Sequence, residues 1–172
     1  MKRIVFVLII AFLFIENTFA DLLSQVRYEA ADLGAGQWQY TYEVKNLGIA
    51  DGIGEFTIWF DYGKYSNLQI KTPNPPSANW NQVVWQPDPV LHDAGGYDAI
   101  ANSLRITLGQ SVSGFAVSFD WLGTSTPGSQ YYEIINPSNF QTIESNWTIP
   151  EPGTLLLLGF GGLILFRKKR GD

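Results

Sequence analysis

Residues 37–45 alternate without a break: Trp38, Tyr40, Tyr42 and Val44 fall on one parity, and Gln37, Gln39, Thr41, Glu43 and Lys45 on the other. A period of two is that of a strand with one face buried and the other wet. It returns in Phe56, Ile58, Phe60 and Tyr62 against Thr57, Trp59 and Asp61, in Leu104, Ile106 and Leu108, and in Phe115, Val117, Phe119 and Trp121 against Ala116, Ser118 and Asp120. Residues 67–71, 82–85, 131–135 and 141–147 carry weaker versions. A first strand over 26–31, followed by Asp32, Gly34 and Gly36, makes residues 26–45 a hairpin. Pro73-Asn74-Pro75-Pro76, Pro87-Asp88-Pro89, Gly95-Gly96 and Thr126-Pro127-Gly128 read as turns or loops. The body sustains no 3.6-residue apolar period, so the expected fold is all-β. An antiparallel β-sandwich of about eight or nine strands, jelly-roll-like or Greek-key, meets the pattern, with aromatic faces packed inward about 10 Å apart.

Both ends of the 172-residue chain depart from this pattern. Lys2 and Arg3 precede an apolar stretch over 4–15, and the polar segment after it ends in Thr18, Phe19 and Ala20. This is the layout of a secretory signal peptide over residues 1–20, with small residues at the two positions a signal peptidase reads. At the other end Pro150, Glu151 and Pro152 stand before a hydrophobic segment over 154–166 and the basic cluster Arg167, Lys168, Lys169 and Arg170. The prolines fix φ and remove two amide donors, so residues 150–152 are expected to form a hinge that no regular element runs through. As a helix, the apolar run 155–166 is only about 18 Å long against a hydrocarbon core of roughly 30 Å. That is short for a transmembrane helix that anchors a protein in a membrane, and it suits a transient address better.

The order and spacing of these three parts resemble the PEP-CTERM sorting signal, over residues 150–172. The tail is also known as an ice-binding-protein C-terminal domain. The resemblance implies an exosortase-type protease in the inner membrane of a Gram-negative bacterium, which recognises Pro150, Glu151 and Pro152 and removes the tail. It implies export, attachment to the inner membrane before processing, and a final place at the cell surface or in an extracellular, exopolysaccharide-rich biofilm matrix. The label concerns the tail alone. Ice binding would want a flat, regular array of threonines, whereas Thr124 and Thr126 form a lone pair in a loop and no repeat is visible.

Between the ends, residues 21–149 make one extracytoplasmic domain. They hold five basic residues against 13 acidic ones, a net charge of −8. So acidic a surface repels polyphosphates, and nucleic acid is not an expected partner. The chain has no cysteine, which excludes thiol catalysis, iron–sulfur clusters and cysteine-bound zinc. Its 15% aromatic content has to supply the core instead.

Candidate chemistry in the body is sparse. Asp88, Asp93 and Asp98 lie with His92 near Gly95 and Gly96, which can gather oxygens around Ca²⁺, although neither EF-hand nor nonapeptide spacing is present. A solvated loop accounts for the same residues. Beyond that, no other cofactor is indicated, and no Gly-x-Ser-x-Gly elbow accompanies the single histidine. Trp59, off the parity of its apolar neighbours, joins Trp80 and Trp85, which flank Asn81 and Gln82, as a candidate glycan platform. The alternative is that these rings fill the core.

The expected protein is an exported, non-enzymatic surface or matrix protein whose body binds or organises exopolysaccharide. The alternatives are a secreted glycan-active enzyme on the same fold, and a structural matrix subunit that assembles through strand edges. N-terminal sequencing of the exported protein is expected to begin at Asp21, and a chain that still begins at Met1 would show an uncleaved anchor.

Overall fold

The computed structural model describes residues 22–151. The expected signal peptide, Pro152, the hydrophobic segment and the basic cluster of Arg167, Lys168, Lys169 and Arg170 lie outside the described residues. Among the described residues there is no helix long and apolar enough to cross a membrane.

The described chain folds as ten strands: β1 Ser24–Gly34, β2 Gln37–Asn46, β3 Glu55–Phe60, β4 Tyr65–Ile70, β5 Trp80–Trp85, β6 Gly95–Ala101, β7 Ser111–Trp121, β8 Tyr131–Asn136, β9 Gln141–Trp147 and β10 Ile149–Pro150. They form two five-stranded sheets, in the orders β10-β1-β2-β7-β4 and β5-β6-β3-β8-β9. Every pairing is antiparallel except β1 with β10. The chain passes repeatedly from one sheet to the other, and the two sheets make the antiparallel β-sandwich expected. In the first hairpin Ala35 and Gly36 both take positive φ (53° and 82°), the twist that suits a two-residue turn between right-twisted strands.

The core lies between the sheets, and the alternating residues supply it. Tyr40 and Tyr42 from β2, Phe56, Ile58 and Phe60 from β3, and Phe115 and Phe119 from β7 are all buried. Tyr40 and Phe119 meet at 4.8 Å between ring centroids, and Phe56 and Phe115 at 4.9 Å. Burying each such ring contributes roughly 1.5–3 kcal/mol. The buried phenols also find acceptors: the Tyr40 hydroxyl donates to the Gly128 carbonyl at 2.7 Å, and that of Tyr97 to Gln82 Oε1 at 2.6 Å.

Three expectations need correction. The alternation at Leu104, Ile106 and Leu108 is not a strand: only Ile106 is buried, in an isolated bridge to Ile53, and both leucines are exposed. Gly95 and Gly96 are not a loop but the start of β6, in the middle of a sheet. Finally, Pro150 is no hinge, because β10 pairs with β1 through Arg27 opposite Ile149 and Tyr28 opposite Pro150.

Burial raises Tyr40, Tyr42 and Tyr97 far above the ordinary phenol range, and pushes Tyr132 up to about 12. Folded values above the unfolded value of about 10 mean that this stabilisation is complete below that pH and is lost as pH rises through the folded values. The urea midpoint should therefore stay level up to pH about 9 and fall above about 10, with tyrosinate absorbance growing in step with unfolding. Tyrosinate appearing in the still-folded protein in proportion to all eight tyrosines would contradict the packing.

Candidate functional site

The outer face of the sheet β5-β6-β3-β8-β9 carries a row of aromatic rings. The inward parity of Phe56, Ile58 and Phe60 turns Glu55, Thr57 and Trp59 outward. In the ladder Trp59 stands opposite Gly96, and Gly96 opposite Trp85. On the other side Ile58 pairs with Tyr132, which brings Tyr131 beside Trp59, and Tyr131 pairs with Trp147. Trp85, Trp59, Tyr131 and Trp147 thus cross the whole sheet, four strand spacings or about 19 Å.

The rings are held as two corners. Trp59 and Trp85 meet edge to face at 5.5 Å and 75°, and Tyr131 and Trp147 at 5.8 Å and 69°. Trp85 lies down on the backbone of Gly96, where an added Cβ would come within 2.1 Å of its ring. Trp59 is fixed by its indole N–H, which donates to Glu133 Oε2 at 2.9 Å, while the other oxygen of Glu133 accepts from Thr142 at 3.1 Å. Trp85 is 37% exposed and Trp147 60%. The next row along the strands is polar: Asp98 accepts from the Thr57 hydroxyl at 2.8 Å, and burial raises the pKa of its carboxyl.

The row runs into a cleft of about 630 Å³ at the open end of the sandwich. Trp59, Tyr131 and Trp147 form one side, Trp121 with residues 123–126, Gly128 and Ser129 another, and Asp61, Lys64 and Gln130 contribute polar groups. The indole N–H of Trp121 donates to the Ser125 carbonyl, and Gly123 lies so close under the ring that a Cβ would fall 2.5 Å from it. Asp61 accepts from the Gly63 amide at 2.8 Å and pairs with Lys64 at 3.1 Å. The amide first, and the ammonium after it, hold its carboxyl below the usual range.

Of the platform expected from sequence, Trp59 and Trp85 come together and Trp80 does not. Trp80 is 3% exposed and packs in the core, 5.3 Å from Phe115 and 5.8 Å from Phe56. Tyr131 and Trp147 take its place, and each had been visible only as the end of a weak strand.

The expected Ca²⁺ ligands are not gathered. Asp88 accepts from the amides of Val90 and Leu91 in its own turn, and its backbone bridges to that of Asp93. Asp98 sits in the middle of β6 against Thr57. Among the described residues no three His, Cys, Asp or Glu side chains are grouped to hold a metal.

Residues 148–170 match the PEP-CTERM protein-sorting motif. The chain therefore carries a sorting signal of that kind and is an exported protein directed to the cell surface. No curated protein matches it in sequence. Similar solved structures include a mutant family 3b carbohydrate-binding module from the cellulosomal cellobiohydrolase 9A of Clostridium thermocellum, with 13% identity, TM-score 0.42, and coverage of 74% of this chain and 98% of that one. A family 3b module from the biomass-sensing system of Clostridium clariflavum shows 9% identity, TM-score 0.41, and coverage of 74% and 85%. The exo-β-N-acetylglucosaminidase of Vibrio harveyi shows 10% identity and TM-score 0.41, and the match takes in 76% of this chain and 18% of the enzyme.

Because Trp80 fills the core and Trp147 stands in solvent, Trp80→Ala should lower unfolding stability by about 3–5 kcal/mol. Trp147→Ala should stay within about 0.5 kcal/mol of the parent. Urea denaturation of the two variants checks the pair, and equal losses would contradict the placement.

Proposed function

We propose that the body of this exported protein is a non-catalytic polysaccharide-binding module, and that it uses the aromatic row across β5-β6-β3-β8-β9 to hold an extended glycan chain at the cell surface. The row itself carries the reading. Sugar rings present flat C–H faces bordered by hydroxyls, so they need apolar ring faces to stack on and hydrogen-bonding groups beside them. Trp85, Trp59, Tyr131 and Trp147 offer the first, and the polar groups of the cleft, Asp61 and Lys64 among them, offer the second.

Two features narrow the ligand. Edge-to-face corners grip a sugar ring from below and from the side, which suits a single hydrated chain better than the flat face of a crystalline polymer. The body's net charge of −8 opposes uronate-rich or sulfated chains. The ligand is accordingly a neutral polysaccharide, with the cell's own exopolysaccharide as the natural candidate. Glu133 and Asp98 serve here as positioning groups, since Glu133 is committed to Trp59 and Thr142 and Asp98 to Thr57. Removal of the tail by an exosortase-type enzyme would then free the module into the matrix.

Pull-down with insoluble polysaccharides and titration with soluble ones test this directly. The protein should bind one or more neutral glycans, with affinity little changed between low and high salt. Trp59→Ala and Trp147→Ala should each weaken binding about tenfold or more. Retained affinity in both variants, or binding confined to acidic polymers and abolished by salt, would overturn the assignment.

A further inference from the structure

The sorting motif begins inside the folded body. Thr148, its first matched residue, is 1% exposed where the chain passes from β9 in one sheet to β10 in the other. Its amide donates to the Gln130 carbonyl at 2.8 Å, the Gln130 amide donates back to Thr148 Oγ1 at 2.9 Å, and that hydroxyl donates to Gln130 Oε1 at 3.2 Å. Ile149 then lies opposite Arg27 and Pro150 opposite Tyr28, and the Glu151 amide donates to the Tyr28 carbonyl at 2.9 Å. Since amides alternate in direction along a strand, the donor that Pro150 lacks falls on the side away from β1, where the ladder does not call for one. A proline that would break an interior strand is accommodated at this edge.

A protease that reads a peptide takes it extended and pairs with its backbone, as a strand added to a sheet edge does. Here that backbone is already paired. We propose that the edge of β1 is a docking site for the start of the sorting motif, and that the folded body withholds Pro150 and Glu151 from the processing enzyme until β10 is released. Two residues at a sheet edge open far more easily than the whole domain unfolds, so the gate is a local opening. Its strength is set by the Thr148–Gln130 clamp and by the pairing with β1. The inference rests on the tail being processed at this motif, and it is independent of glycan binding.

The full-length chain contains no cysteine, which makes the test clean. Arg27→Cys combined with Ile149→Cys, two directly opposed positions, allows a disulfide that closes the gate when oxidised and frees it when reduced. Produced together with the processing enzyme and followed by mass spectrometry, the oxidised chain should keep its tail while the reduced chain and both single variants lose it. Thr148→Val keeps the β-branched shape but removes the hydroxyl that serves the clamp. It should speed tail loss about tenfold and raise hydrogen exchange at the Glu151 amide by the same factor, leaving exchange in β2 and β7 unchanged. Equal processing of the oxidised and reduced chains overturns the gate, as does faster exchange in Thr148→Val without faster processing. A wild-type chain that never loses its tail overturns the processing premise as well, whereas loss of glycan binding in the Trp59 or Trp147 variants bears on neither.

Discussion

The alternation of the β3 strand, locked in place by its buried half, is what the rest of the structure depends on. Phe56, Ile58 and Phe60 are fully buried between the sheets, and no shift of one residue is open to the strand without turning those rings into water. That fixes Trp59 on the outer face. The same argument applies to Tyr97 in β6 and to Tyr132 and Ile134 in β8, whose burial sets Gly96 and Tyr131 facing outward on either side of Trp59. The aromatic row is thus the outward counterpart of the core, positioned by packing that it does not itself take part in.

A core this rich in tyrosine contains polar atoms that have to be satisfied where water does not reach. Much of that demand converges on Gln130, which accepts from Tyr42 and Thr148 through its side chain and from Thr148 through its backbone carbonyl. The residue also lines the cleft, and it holds the turn from which β10 departs. One buried amide therefore joins three parts of the molecule: the centre of the sandwich, the cleft at the end of the aromatic row and the start of the sorting motif.

The strands whose own residues alternate, β2, β3 and β7, were legible from the chain alone, and with them the sandwich. What stayed hidden was set by contacts distant in sequence. Gly95 and Gly96 carry the composition of a loop, yet they are strand residues because Pro87 and the Trp85 ring lie where their side chains would be. Leu104, Ile106 and Leu108 alternate without a partner strand to bury them. Trp80 and Trp85 are five residues apart, an odd spacing that places them on opposite faces of one strand, and this signal was present in the sequence. Tyr131 and Trp147 join the row only through the register of β8 with β9. Pro150 looked like a break because its missing amide matters in most strands, whereas at this edge it faces outward.

The central claim is that an aromatic row of fixed length receives an extended neutral glycan. Calorimetric titration of the exported protein with a ladder of neutral oligosaccharides of increasing length, drawn from a polymer it retains in pull-down, tests that claim most directly. Affinity should climb with each added sugar until the chain spans the row from Trp85 to Trp147, and then level off. Affinity that is already complete with a single sugar, or absent at every length, would contradict it.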